Sequence, residues 1–232
     1  MPAGQRIRGP TMTLFTPPEG ATIDEEGVWC QFFKLGSEAR RTALFLDRDG
    51  VVVDEVHYLR HARDVRLAAG AAKVIAHANR RDLAVVLVTN QAGIGRGIFG
   101  WPEFARVQER IVADLAAEGA SLDAVYACPH HAKARAPYDH PDHPARKPNP
   151  GMLSRAIEAL GLDAGTSWIV GDRASDLEAG RAAGLLGGLH VLTGYGARLG
   201  EREAAMALAD GRFRAVGAAS IADVPARVSL FA

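Results

Sequence analysis

The sequence predicts an α/β protein built on one doubly wound, mainly parallel sheet with helices on both faces. Three observations carry that expectation. Continuous apolar runs, such as residues 43–46 and 84–88, end abruptly at polar tips instead of alternating, as strands buried on both faces do. Between them lie stretches with apolar residues at spacings of three and four, the signature of amphipathic helices. The two patterns alternate along the chain, which favours strand–helix–strand units over an all-β or all-α arrangement.

Taken in order, residues 1–20 are rich in Pro, Gly and Thr and read as a flexible lead-in, with Met12 a second candidate start. Residues 21–41, with Trp29, Phe32 and Phe33, read as an ordered extension packed on the domain and carrying no chemistry. Residues 1–41 are thus expected to be a partly flexible extension and 42–232 a single domain. A strand begins at Ala43 and runs into Asp47, Asp49 and Gly50. Residues 54–66, holding Glu55, His57, Tyr58 and His61, read as a polar loop or flap over its end. The Ala-rich segment 67–81 is helical, and 84–88 is a second strand ending in Thr89-Asn90-Gln91. Residues 102–118 place Phe104, Val107, Ile111 and Leu115 on one helical face, and 122–128 reads as a third strand. Residues 129–150 are crowded with His, Pro and Asp and have no periodicity, so they read as a long loop of the kind that is usually functional or disordered. Helix resumes at 151–160, and a short strand at 168–170 leads into Gly171-Asp172. A helix over 177–183 stops at Gly184, a strand follows at 189–192, and 201–208 and 221–228 are helix-like.

Composition narrows the function. Lys plus Arg and Asp plus Glu are 27 each, so no chain-wide basic excess points to nucleic acid. The 232 residues are 48% hydrophobic, enough for a substantial core. The two cysteines, Cys30 and Cys128, are no disulfide framework and suit a reducing, cytoplasmic setting. No secretory layout opens the chain, and no apolar stretch approaches the roughly 20 residues that span a bilayer.

The chemistry gathers at strand ends. Asp47 with Asp49, Thr89 with Asn90, and Asp172 with Asp176 each follow a strand, and Arg146-Lys147-Pro148 opens a helical segment. In a parallel sheet these ends share one edge, where open α/β sheets bind ligands. Two carboxylates two residues apart repel and invite a divalent cation held by oxygens. Nucleophile, hydroxyl and amide donors, fixed cation and metal-binding acid together form the equipment for holding and transferring a phosphoryl group.

The motif order Asp-x-Asp, Thr, Lys, Gly-Asp with a following Asp resembles the haloacid dehalogenase-like phosphatases. Within them, Asp47-Arg48-Asp49-Gly50, the Thr89–Gly97 stretch, Cys128-Pro129-His130-His131 and Arg146-Lys147-Pro148-Asn149-Pro150-Gly151-Met152 look like the heptose-bisphosphate phosphatase branch, with histidinol-phosphate phosphatases close by. The resemblance covers about residues 43–194. It implies a Rossmann-like fold without a large cap domain. It implies that Mg²⁺ is held by Asp47, the backbone carbonyl of Asp49, and Asp172. Asp47 becomes the candidate nucleophile and Asp49 the candidate acid, then base, which must be protonated when substrate arrives. Thr89 and Asn90 would bind phosphate oxygens, and Lys147 would bring charge to the transferring group. Asp176 tethers Lys147 or the loop. Arg96 and Arg146 are candidates for a distal phosphate, Arg146 the better one. Tyr58, with His57 and more weakly Glu55, lines the sugar pocket, and Arg173 contacts substrate or a neighbouring group.

In the resembled branch, Cys-x-His-His is followed by a Cys-x-Cys pair that closes a structural zinc loop. This chain keeps Cys128 and His130 but carries His143-Pro144-Ala145 where that pair would lie. His140 and His143 are the candidate replacements, giving a one-Cys, three-His zinc site within 128–147, with His131 spare. The resulting expectation is a Mg²⁺-dependent phosphomonoesterase acting on the 7-phosphate of a heptose 1,7-bisphosphate. It would be a monomer with a small sugar-phosphate partner and no nucleic acid or membrane. Histidinol-phosphate phosphatase is the second reading and a non-catalytic metal-bound interaction module the third.

Overall fold

A computed structural model describes residues 15–34 and 40–231; Met12 and most of the lead-in lie outside them. Among the described residues, eight strands form one sheet: β1 (Ala21–Ile23), β2 (Trp29–Phe32), β3 (Arg41–Leu46), β4 (Ala84–Asn90), β5 (Ala124–Cys128), β6 (Leu162–Gly171), β7 (Gly187–His190) and β8 (Arg214–Gly217). Their order is β1-β2-β5-β4-β3-β6-β7-β8. Every pairing from β5 to β8 is parallel, while β1 with β2 and β2 with β5 are antiparallel. The helices are α1 (Ala71–Arg80), α2 (Ala92–Gly95), α3 (Trp101–Ala117), α4 (Gly151–Leu160), α5 (Ala174–Ala182), α6 (Glu201–Met206) and α7 (Val224–Arg227).

The apolar runs dictate the layers. Successive residues of a strand point to opposite faces, so a continuous apolar run needs cover on both sides. Leu44 and Leu46 of β3 pack with Val74 and Ile75 of α1 and Phe104 and Ile111 of α3. Ala43 and Phe45 of the same strand pack with Met152, Leu153 and Ala156 of α4 and Leu177 of α5. No described helix is long and apolar enough to cross a membrane.

Three elements differ from the sequence expectation. Within the extension, Ala21–Ile23 and Trp29–Phe32 join the sheet as strands: β2 covers β5, with Trp29 opposite Ala127. Trp29 is fully buried, stacked on Trp101 and edge-on to Phe104, and Gln31 two residues on is buried as well, so alternate burial makes this segment a strand. Strand β6 starts at Leu162, earlier than its apolar part at 168–170, because polar Ser167 replaces a ladder partner: its hydroxyl accepts the Ala43 N–H at 2.8 Å where the β3–β6 register shifts. Strand β8 is a half-exposed edge of four residues, too short and mixed to give a periodic signal.

The chain leaves β3 towards β4 and β5 and then returns to its other side at β6. That reversal opens a crevice beyond the C-terminal ends of β3 and β6, between the segments that carry Asp47 and Asp172.

Candidate active site

Asp47 follows β3 directly. Its N–H donates to the Val170 carbonyl of β6 at 2.9 Å, extending the ladder by one bond and setting Asp47 beside the Gly171-Asp172 turn. Asp176 stands in the first turn of α5, with Oδ2 accepting the Arg173 N–H at 3.0 Å. The helix must lie close here: a Cβ on Gly171 would come within 2.2 Å of the Asp176 Cβ. As a result, carboxylate oxygens of Asp47, Asp172 and Asp176 all lie within 4.8 Å of one another. Lys147 enters the same space. Its Nζ donates to Asp47 Oδ1 at 2.6 Å, Asp176 Oδ1 at 2.7 Å and the Val88 carbonyl at 2.8 Å. The tether between Asp176 and Lys147 is the one expected from the sequence.

All four groups are buried. Burial first, then the neighbouring carboxylates Asp176 and Asp49, outweigh Lys147 and lift the Asp47 carboxyl to about 7. Burial, then Asp47 and Asp176, lift Asp172 to about 8, although the Tyr195 N–H donates to its Oδ2 at 2.6 Å. Burial opposes the charge on Lys147, but Asp176 and Asp47 overcome it and its value rises. Fully ionised, three carboxylates and one ammonium leave an uncompensated double negative charge in a buried, oxygen-lined space. A hard divalent cation is the group that fits such a donor set.

Asp49 turns away from this cluster. Both its oxygens meet the Arg48 guanidinium at 2.9–3.2 Å, and Gln91 Nε2 donates to its Oδ2 at 3.0 Å. Gln91 Nε2 also donates to the Thr89 hydroxyl at 2.8 Å, which leaves that hydroxyl its own proton to give. Arg48 is itself buried and lies 5.4 Å over the Phe104 ring. The Asn90 side chain does something the sequence did not suggest. Its Oδ1 accepts the Lys147 N–H at 3.1 Å and its Nδ2 donates to the Lys147 carbonyl at 2.9 Å. A reciprocal amide pair thereby holds the Lys147 backbone from β4.

These residues line an open cleft of about 240 Å³, with Thr89, Asn90, Arg96, Arg146, Tyr58 and Arg173 all on its wall. Its size suits one small metabolite. At the mouth, Arg96 donates to the Tyr58 hydroxyl and lies 5.7 Å over its ring. Opposite, Arg173 lies 4.8 Å over the ring of Tyr195. The Tyr195 hydroxyl reaches Glu55 at 3.4 Å and His57 at 3.5 Å. Arg48, Gln91 and Tyr195 were missed by the sequence reading. Arg48 and Gln91 were in quoted motifs, but nothing in a sequence tells which way a side chain leans. Tyr195 follows β7, another parallel strand end, and that position was its signal.

Among the described residues, the four expected zinc ligands are not gathered into one close set of metal-capable atoms. The rings of His130 and His143 are stacked, 3.7 Å apart and 4° from parallel, with the exposed His140 edge-on to both. His130 Nε2 donates to the Glu26 carbonyl at 2.7 Å, and His143 Nδ1 accepts the Ala145 N–H at 3.1 Å. Burial pushes the Cys128 thiol up to about 11. Among the described residues, the one set of three or more metal-capable ligand atoms this close together is Asp47, Asp172 and Asp176.

Known proteins resemble this chain in sequence and fold. Residues 144–211 match the family model described as "HAD-hyrolase-like". The chain is 44% identical, over 72% of its length and 77% of the relative, to the D-glycero-beta-D-manno-heptose-1,7-bisphosphate 7-phosphatase of Mesorhizobium japonicum. It is 37% identical, over 66% of its length and 83% of the relative, to the protein of the same name from Pasteurella multocida. Among solved structures, D,D-heptose 1,7-bisphosphate phosphatase from B. bronchiseptica, complexed with magnesium and phosphate, superposes with a TM-score of 0.66 at 30% identity, covering 79% of this chain and 95% of that one. Site geometry and similarity agree, and the chain belongs to the haloacid dehalogenase-like phosphatases, hydrolases of phosphoric monoesters.

Proposed function

We propose that this enzyme removes the 7-phosphate of D-glycero-β-D-manno-heptose 1,7-bisphosphate through an aspartyl-phosphate. The observation that carries the reading is the meeting of Asp47, Asp172, Asp176 and Lys147 at the reversal of the sheet, where the phosphoryl group would be held. The names of the relatives support the substrate.

Asp47 attacks phosphorus with the oxygen that Lys147 does not hold. The bond from phosphorus to the sugar oxygen breaks, and Asp49 delivers a proton to that oxygen. Asp49 then takes a proton from water as the water attacks the acyl phosphate, releasing inorganic phosphate and restoring Asp47. In this reading Asp49 acts from the position where Arg48 and Gln91 hold it. Lys147 neutralises charge on the transferring group, and the Thr89 hydroxyl and Asn90 backbone N–H bind its oxygens. Asp47, the Asp49 carbonyl and Asp172 would hold Mg²⁺, which supplies charge neutralisation at the phosphoryl oxygens when bound. Arg146 and Arg96 grip the distal phosphate, while Tyr58 and Arg173 frame the sugar.

The deciding experiment compares kcat/KM on heptose 1,7-bisphosphate and histidinol phosphate, with and without EDTA, for the wild type and Asp47→Asn. The expected result is preference for the bisphosphate, loss of turnover with EDTA, and an Asp47→Asn variant that folds but does not turn over. Equal or better turnover of histidinol phosphate overturns the substrate. Activity retained by Asp47→Asn overturns the nucleophile.

A further inference from the structure

We propose that the loop at residues 128–147 is closed by a metal-free clamp, with the turn of the β1–β2 hairpin pinning it from outside. The inference concerns how the Arg146–Lys147 segment is held and does not depend on which phosphate ester is the substrate.

Ring geometry argues first against a shared ion. A metal bound by imidazole lies in the plane of the ring, along a nitrogen lone pair. His130 and His143 are stacked with planes 4° from parallel and centroids 3.7 Å apart, so no point within bonding distance lies in both planes. Donor bookkeeping agrees. The Glu26 carbonyl can only accept, so His130 Nε2 carries the proton. His143 Nδ1 spends its lone pair on the Ala145 N–H, so its proton is on Nε2, which faces Glu26 Oε2 at 3.7 Å. One imidazole lone pair is left in the stacked pair, on His130 Nδ1, which is buried and without a partner. Structural zinc needs four donors.

The hairpin supplies what holds the loop instead. Its turn is braced from within: Asp24 Oδ1 accepts the N–H groups of Glu26 at 3.0 Å and Val28 at 2.9 Å. From this turn the Glu26 backbone grips His130, and its carboxylate faces His143. Gly27, at φ +77°, lies so close to the loop that a Cβ would come within 2.5 Å of Tyr138 Cε1. Tyr138 is fixed on its far side by Trp101, whose Nε1 donates to the phenol oxygen at 3.2 Å. Arg155 on α4 pairs with both Asp24 and Glu26 and anchors the turn to the domain. The grip reaches the active site in one further bond, because Arg146 Nη1 donates to the His130 carbonyl at 2.8 Å. Glu26 and Gly27 are therefore positioning residues for the segment that presents Arg146 and Lys147.

The test uses the full chain, produced in zinc-supplemented medium, with elemental analysis and amide hydrogen exchange as readouts. The expected result is zinc far below one equivalent per chain and loop protection that a zinc chelator leaves unchanged. Gly27→Val is expected to speed exchange at residues 129–146 by about tenfold or more while β3 and β4 stay protected. If Gly27→Val does not fold, Glu26→Ala provides the same comparison. One zinc per chain, chelator-sensitive loop protection, or loop exchange unaltered by the hairpin variants overturns the clamp. None of these readouts involves turnover, so a wrong substrate assignment leaves the result intact.

Discussion

Asp47 and Asp172 hold their protons more tightly when folded, at about 7 and about 8, than an ordinary aspartate does, because they are buried beside each other. Across roughly pH 4 to 8 the folded chain, free of metal, keeps protons that the unfolded chain has released. The stability from these groups is complete below about pH 4 and is lost as pH climbs through about 7 and 8. Thermal unfolding in EDTA should therefore give a falling Tm between pH 6 and 8.5. Mg²⁺ should raise the Tm most at the upper end; a Tm in EDTA that holds steady or rises over that range would contradict this. Gln91 offers a second measurement. Its amide holds Asp49, so Gln91→Leu should slow an alkyl phosphate by about 10–100-fold. It should slow p-nitrophenyl phosphate, whose leaving group needs little protonation, far less; equal losses would mean that Gln91 does not serve the acid. Asp47, Thr89 and Asp172 could be picked out as a candidate set because each stands at a strand end, and Lys147 because its motif precedes the helix at Gly151–Leu160. The lean of Asp49 towards Arg48 and Gln91 was not, since it depends on side-chain rotation that no motif encodes.

At the level of elements, β4 and the helix now placed at Trp101–Ala117 were readable from long apolar runs and clean periodicity. Helix α3 also announces its start: Glu103 Oε2 accepts the Gly100 N–H at 2.9 Å, and Pro102 fits the first turn. What escaped were the pieces whose partners are remote in sequence. β2 is a strand because β5 awaits it, and β8 is one because β7 does. The tight junction of β6 and α5 predicts a further effect. Gly171→Ala places a methyl where Asp176 Cβ already lies, so α5 must shift outward and draw Asp176 from Lys147. The expected cost is about 1–3 kcal/mol in denaturant unfolding, together with a lowered kcat. Wild-type stability and turnover in this variant would show that the helix has slack the packing does not suggest.

Across the whole molecule, the acidic and basic residues balance, yet the cleft sets the exposed Arg96 and Arg173 and the half-buried Arg146 against buried carboxylates. This separation suits an anionic small molecule that enters with its charge facing arginines and delivers one end to the acids. The doubly wound order itself follows from apolar strands that need cover on both faces, which is why the architecture could be read before any side chain was placed. The antiparallel pairing of β2 on β5 has a practical consequence for anyone trimming the chain. A protein starting at Arg40 would lack that border and would leave β5, whose five side chains are all buried, with a bare line of hydrogen-bonding groups. Such a fragment should self-associate through that margin, visibly in light scattering. If it stayed monomeric, the margin would have found some other cover.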